Sequence, residues 1–303
     1  MTIDAPRHAP VMPAEVLSLL APRENGLYID CTVGLGGHTE MLLESGAGRV
    51  IGLDRDERAL SHARTRLAGY AARVELVHAD YRTLPDVLRS RNIARVDGAL
   101  ADLGVSSMQL DDAARGFSFR NDGPLDMRMD ASAGESLAER LATVDEGTLA
   151  DVIYQFGEER HARRIARAIV TARERQPLER TADLASVVRR AAGGGTWQRI
   201  DPATRTFQAL RIWINGELDG LDAFLRSTVA TLNVGGRIVI ISFHSLEDRV
   251  VKQTFRDIAR PMDGVTRATG QILTKKPLEP TDAERDANPR SRSAKLRALE
   301  KVA

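Results

Sequence analysis

An α/β fold on a parallel-rich sheet, with an all-helical domain inserted into it, is what the sequence predicts. Three observations carry this. Over residues 27–102, short apolar runs alternate with helix-compatible segments, the pattern of βαβ units with right-handed crossovers. The rhythm then stops, and from Leu103 to about Thr204 no convincing buried strand is seen. It resumes with a long helical pattern and a strand at residues 235–242 expected to be fully buried. The predicted core is therefore residues 1–104 and 205–303, and residues 105–204 form the insertion.

Taken in order, the segment from His8 to Pro13 is held extended by its prolines, and residues 15–20 make a short amphipathic helix stopped by Pro22. Residues 27–30 are the first strand, followed by a glycine turn and a helix from Thr39. A second strand spans residues 50–54. Leu60, Ala63, Arg64 and Leu67 then recur at helical spacing. Residues 74–80 and 96–102 are the third and fourth strands, separated by a helix at 83–91. Within the insertion, residues 104–130 are loop-like, and helices are expected at 137–141, 146–156, 161–175 and 181–190. Gly193-Gly-Gly195 is a breaker. Residues 206–232 are expected as one long helix, with Phe207, Leu210, Ile214, Leu218 and Leu221 at core spacing. A helix starting at Ser245 or Glu247 follows the fifth strand, and residues 270–275 and 294–301 are further extended candidates.

Composition narrows the class. A chain of 303 residues with 43% hydrophobic and 28% charged residues is an ordinary globular protein. Its apolar runs are strand-sized, so no membrane partner is expected. Residues 1–13 lack an apolar leader stretch, and one cysteine, Cys31, can form no internal disulfide. A cytoplasmic location follows as the expectation. The net charge of +1 makes the whole chain no magnet for nucleic acid, so the distribution of basic residues matters more. Arginine is dense at 160–175, and the 285–303 tail is basic.

The strand ends carry the chemistry. Asp30, Asp54, Asp80 and Asp102 each close or follow a predicted parallel strand, and open α/β sheets bind ligands outside those ends. Any one of them could be only a helix cap. Gly34-Leu-Gly36-Gly37 lets a ligand approach backbone without a Cβ in the way, and Asp54, about twenty residues on, suits ribose hydroxyls. A dinucleotide fingerprint needs a further glycine where Thr39 stands. Asp30 would also repel a diphosphate. S-adenosylmethionine (SAM), with its sulfonium and ammonium, fits this acid better than NAD does; a turn without ligand is the plain alternative. No Cys/His/carboxylate cluster has metal-ligand spacing, so no metal is expected.

Several blocks resemble one family: Asp30-Cys-Thr-Val-Gly-Leu-Gly-Gly-His-Thr39, Asp102-Leu-Gly-Val-Ser-Ser107, Gln109-Leu-Asp111, Arg115-Gly-Phe-Ser-Phe119 and Asp122-Gly-Pro-Leu-Asp-Met-Arg-Met129. Four more lie downstream: Tyr154–Glu159, Arg205–Asn215, Ser242–Arg249 and Asn288–Arg297. The sequence is similar to the ribosomal RNA small subunit methyltransferase H (MraW) family from His8 to the tail. That resemblance implies a Rossmann-like, SAM-dependent methyltransferase core with an inserted helical substrate-recognition domain. It further implies N4-methylation of a cytidine in the decoding centre of 16S rRNA. Its SAM contacts carry over to Gly36, Gly37, His38, Asp54, Tyr81, Asp102 and Gln109. Met108 stands where relatives often have proline, which loosens the placement of Gln109.

Asp102 is the candidate to orient the target amine, and His244 a candidate proton shuttle, with a structural histidine as the other reading. Asp80 is a candidate acceptor for the adenine amine. Phe117, Phe119, Phe243 and His244 are candidates to stack on the flipped base, against the alternative of plain core packing. Arg290, Arg292, Lys295 and Arg297 are the favoured phosphate contacts; Arg160, Arg163, Arg164 and Arg167 fit an ordinary solvated helix face. The expected partner is 16S rRNA or the small ribosomal subunit, and a homodimer is compatible with the sequence. Other readings are a SAM-dependent amino-methyltransferase on another RNA or DNA, a NAD-dependent oxidoreductase, and a SAM-binding ribosome assembly factor.

Overall fold

The structure is a computed structural model, and it describes residues 9–193, 201–261 and 267–303. Expectations at His8, Gly194 and Gly195 lie outside these residues. In chain order the first elements are α1 (Pro13–Leu20), β1 (Leu27–Asp30), α2 (Gly37–Glu44), β2 (Arg49–Asp54), α3 (Glu57–Arg66), β3 (Val74–His78), α4 (Leu84–Ser90) and β4 (Val96–Asp102). Then come α5 (Ser107–Asp111), α6 (Leu137–Thr143), α7 (Glu146–Gly157), α8 (Ala162–Arg175), α9 (Thr181–Ala192) and α10 (Ala203–Asn215). The last are α11 (Leu221–Thr231), β5 (Leu232–Ser242), α12 (Ser245–Ala259), β6 (Gly270–Ile272), α13 (Asp282–Ala287) and β7 (Lys295–Lys301). Among the described residues no helix is long and apolar enough to cross a membrane.

The chain divides into two compact units, residues 1–104 with 220–303, and residues 105–219. The first holds a sheet of seven strands in the order β3-β2-β1-β4-β5-β7-β6. Strands β1 to β5 are mutually parallel, and β7 runs antiparallel between β5 and β6. The chain winds outward from β1 to β3, then returns to lay β4 on the other side of β1. That reversal is a topological switch point, where α/β sheets open a crevice at the carboxyl ends. The central strands are buried on both faces: Ile29, Ile51, Leu100 and Val239 are fully enclosed. This is why they read as continuous apolar runs.

The second unit is helical and has its own core. Leu149, Ile153, Ile165, Ile169, Leu184 and Leu210 are buried together from four helices, α7 to α10. Its leading loop is fixed by polar clamps. Asp122 accepts from the Arg180 Nε and the Ala182 backbone at the start of α9. Arg128 grips Asp126 through two bonds of 2.8 Å. Asn215 donates to the Met127 carbonyl and accepts from the Met129 backbone.

The expected single helix over 206–232 is two. Gly216 (φ 54°) ends α10 and Gly220 (φ 66°) precedes α11, left-handed positions that glycine adopts without a Cβ penalty. Phe207 and Leu210 face the core of the helical unit, whereas Leu221 and Leu225 are buried in the sheet unit. Residues 205–219, expected with the core, therefore pack with the insertion.

Candidate cofactor and catalytic site

The glycine turn and the acid of β2 are physically one feature. Gly34 (φ 52°) and Gly36 (φ 82°) take left-handed conformations, and Gly36 is the N-cap residue of α2. The turn is drawn onto β2 by a bond from the Val33 N–H to the Leu53 carbonyl, 2.9 Å. The Gly34 N–H then donates to Asp54 Oδ2 at 2.7 Å, while the Asp56 N–H donates to Oδ1 at 2.8 Å. Each carboxylate oxygen keeps a second lone pair for a hydroxyl. A methyl group placed on Gly34 would meet no protein atom within 4 Å, so open space lies beside this bend. Burial pushes the Asp54 carboxyl up to about 6, against those two backbone bonds.

Behind the turn, Asp30 is wholly buried. Thr39 Oγ1 donates to its Oδ2 at 2.7 Å and the Thr32 N–H to its Oδ1 at 3.2 Å. Burial again dominates and raises this carboxyl to about 6. Thr32 serves twice, because its hydroxyl accepts the Asp102 N–H at 2.7 Å and ties the ends of β1 and β4 together.

Asp102 is the least satisfied group in this cluster. Its Oδ2 faces His38 Nδ1 at 3.8 Å, and its Oδ1 is buried with no hydrogen-bond partner among the described residues. Burial, then the charges of Asp30 and Glu247, drive its pKa well above the usual carboxylate range. His38 does not neutralise it. His38 Nε2 lies 2.9 Å from the Val11 carbonyl and must donate there, which leaves Nδ1 as the lone-pair nitrogen of a neutral ring. Burial lowers this imidazole to about 4.

The buried Asp30 and the half-buried Asp102, with nothing cationic in hydrogen-bond reach, make a cradle for positive charge. The sulfonium and ammonium of SAM fit that donor set, with Asp54 for the ribose and open space at Gly34. A dinucleotide diphosphate would meet Asp30 and Asp102 at close quarters and does not fit.

Other expected site residues are placed differently. Asp80 caps the turn Tyr81–Thr83 and is gripped by Arg82 through bonds of 2.8 and 2.5 Å. Burial would raise it, but these bonds outweigh burial and hold it below the ordinary value. It is a paired cap, not a waiting acceptor. Tyr81 is half-buried, with its ring 4.6 Å from Phe224 of α11, so one side of the ring packs on the protein. Gln109 lies in the helical unit, where its side-chain oxygen accepts from the Ser106 N–H in a capping box.

His244, expected as a proton shuttle or as a structural histidine, stands at the start of α12. Its Nδ1 accepts the Glu247 N–H at 3.3 Å as the N-cap of α12, and Nε2 sits 3.2 Å from Glu247 Oε1. His244-x-x-Glu247 has the spacing of a capping box with imidazole in place of a hydroxyl, a signal the sequence carried. Glu247, missed as a site residue, is 1% exposed and also accepts from the Phe243 N–H.

Of the stacking candidates, Phe243 is half-buried against the sheet-unit core. In the helical unit, Phe117 is buried with the Arg115 guanidinium over its ring, and Phe119 is half-buried and edge-on to Phe207 at 4.7 Å. The tail splits as well. Arg292 is exposed, and the Lys295 ammonium lies 4.0 Å from Asp248. Arg297 is buried on β7 in a two-point pair with Asp248, at 2.6 and 3.1 Å, and is not a free phosphate contact. On α8, Arg163 and Arg167 are exposed, and Arg167 reaches Glu146.

Comparison with known proteins places the chain in a family. The model of the MraW methylase family matches residues 5–302. "Ribosomal RNA small subunit methyltransferase H" of Sorangium cellulosum is 49% identical over 98% of this chain and 91% of its own length. The protein of the same name from Syntrophotalea carbinolica is 48% identical, with both chains fully covered. Among solved structures, an rRNA methylase from Streptococcus thermophilus is similar only distantly, at 13% identity over 96% of this chain and 97% of that one, TM-score 0.44. By the near full-length family match and by relatives at almost half identity, the chain belongs to the MraW methylase family and is a SAM-dependent methyltransferase.

Proposed function

We infer that this protein methylates the exocyclic N4 of a cytidine in the decoding centre of 16S rRNA. The observation that carries the reading is the partnerless Asp102 Oδ1 at the end of β4. The names of the relatives, which act on small-subunit rRNA, support the substrate class.

When bound, SAM supplies an activated methyl group. Asp30, Asp54 and Asp102 are the residues that would hold it, with the backbone of Gly36 and Gly37. A cytosine amine is a poor nucleophile, because its lone pair is delocalised into the ring. An acceptor on its N–H draws the nitrogen toward sp3 and stabilises the positive charge that develops. Asp102 Oδ1 has the free lone pairs for that task. Positioning supplies the rest, and the base must leave its stack to be reached. The exposed Arg292 and the half-exposed Lys295, with Arg290 between Asn288 and Ser291, form the phosphate-facing tail. The helical unit serves substrate recognition in this reading.

The test is mass spectrometry of 16S rRNA nucleosides from a deletion strain complemented with the wild type or with Asp102→Ala. N4-methylcytidine should vanish in the deletion, return with the wild type and stay absent with the variant. A mark that persists in the deletion strain refutes the target. A mark restored by the variant refutes the role of Asp102. Restored subunit assembly without methylation would favour an assembly factor instead.

A further inference from the structure

At the edge of the sheet opposite the strand-end acids, the core unit carries a cavity of about 580 Å³, walled by the ends of α11, α12 and β7 and by Arg95 just ahead of β4. Arg95, Arg226, Arg267 and Lys301 line it, with Ala303 beside them and Asp257 as the one acidic side chain among the described residues. Asp257 is already engaged: Oδ2 accepts from Arg226 at 3.3 Å and Oδ1 from Gln253 at 3.4 Å. Among the described residues the other three cations have no such carboxylate partner. Arg95 Nη1 and the Lys301 ammonium both donate to one oxygen, the Ala230 carbonyl at the end of α11. One cation would satisfy that helix end; a second brought to the same atom is a surplus.

Among the described residues no carboxylate pairs with Arg95, Arg267 or Lys301, and Lys301 is only 8% exposed. Arg95 and Arg267 are exposed at the rim and Lys301 is buried beneath them; burial together with the Arg95 charge pulls the Lys301 ammonium below its ordinary pKa. An anion of matching charge removes that cost.

We propose that this cavity binds a phosphate group. After their bonds to Ala230, the guanidinium of Arg95 keeps four N–H donors and the ammonium of Lys301 two. Arg267 supplies a third charge from the rim. Three unpaired cations suit a tetrahedral dianion better than a single carboxylate, and the volume leaves room for a nucleoside attached to it. The site is separate from the cofactor cradle: seven residues of β4 span roughly 23 Å between Arg95 and Asp102 at about 3.3 Å per residue. The phosphate comes either from a free nucleotide or from an RNA backbone. The site stands on its own geometry, whatever the methylation target.

Calorimetric titration of the full chain with sodium phosphate, against sodium chloride at matched ionic strength, tests this. Saturable phosphate binding is expected, weakened at least fivefold by Lys301→Met and by Arg267→Met, with SAM affinity unchanged in both. Arg267 lies exposed on a loop, so its variant reports even where the buried lysine is needed for folding. Repeating the titration with adenosine monophosphate and with a short single-stranded RNA identifies the source as the ligand whose affinity falls in the same variants. Phosphate binding no tighter than chloride, or binding undiminished in both variants, overturns the proposal.

Discussion

Strand β4 has two ends, and they differ in sign. At its carboxyl end Asp102 joins Asp30 and Asp54, two of the three raised to about 6 and Asp102 beyond the usual range. At its amino end Arg95 meets Lys301 with no carboxylate between them. Between these ends, two strands away, Arg297 and Asp248 close a buried pair. The difference teaches how to read charge in this fold. A buried charge with its partner belongs to the scaffold, and charges clustered without one point to a ligand of opposite sign.

The largest effect should come from breaking the paired charge. Arg297→Ala strands Asp248 in the interior and should cost about 3–5 kcal/mol of stability, visible as a large drop in Tm. Little or no change would mean that the pair is not structural, and the contrast would fail. Next is Asp102→Ala, expected to lower turnover about 10²–10³-fold while leaving the Tm unchanged or higher, since an unsatisfied group is removed. A variant that unfolds but turns over normally would reverse that assignment.

Gly34→Ala should act on the ligand more than on the fold. Its left-handed backbone costs about 1–2 kcal/mol with any Cβ, yet no protein atom is in the way. SAM affinity measured by titration should therefore fall further than the Tm does. Equal losses would mean that no ligand uses that space. The smallest effect is Arg292→Ala, which should leave the Tm alone and reduce the salt slope of RNA binding by about one; an unchanged slope removes this residue from the phosphate contacts.

Much of this was legible beforehand, for physical reasons. Apolar runs bounded by acids gave the parallel strands, because strands buried on both faces cannot hide polar alternation. The glycine turn and Asp54 were readable through their spacing, and the bond from Gly34 to Asp54 explains why they travel together. What escaped depended on partners distant in sequence. Arg297 looked like the other tail arginines until β7 paired with β5 and turned it toward Asp248, 49 residues earlier. His244 looked reactive until its ring became a cap. Phe119 belonged to a core whose other half, from α7 to α10, periodicity alone did not join to it. The break at Gly216 and Gly220 was missed because the apolar spacing runs straight across it.

The central claim is that a cationic cofactor settles among acids that hold protons in its absence. For Asp30 and Asp54 the folded, ligand-free chain binds more protons than the unfolded chain between pH values of about 4 and 6. Their contribution to stability therefore falls as the pH rises through that window. His38 acts oppositely: lowered to about 4, it costs stability as the pH falls from about 6.5. Titrating SAM calorimetrically at several pH values, in buffers of different ionisation heat, counts the protons exchanged on binding. Net release is predicted near pH 6, where Asp30 and Asp54 titrate, with a further share from the raised Asp102 carboxyl that Asp102→Asn should remove. Binding of SAM with no proton release in the wild type, or tight binding of a nicotinamide dinucleotide where SAM gives no heat, would contradict the account.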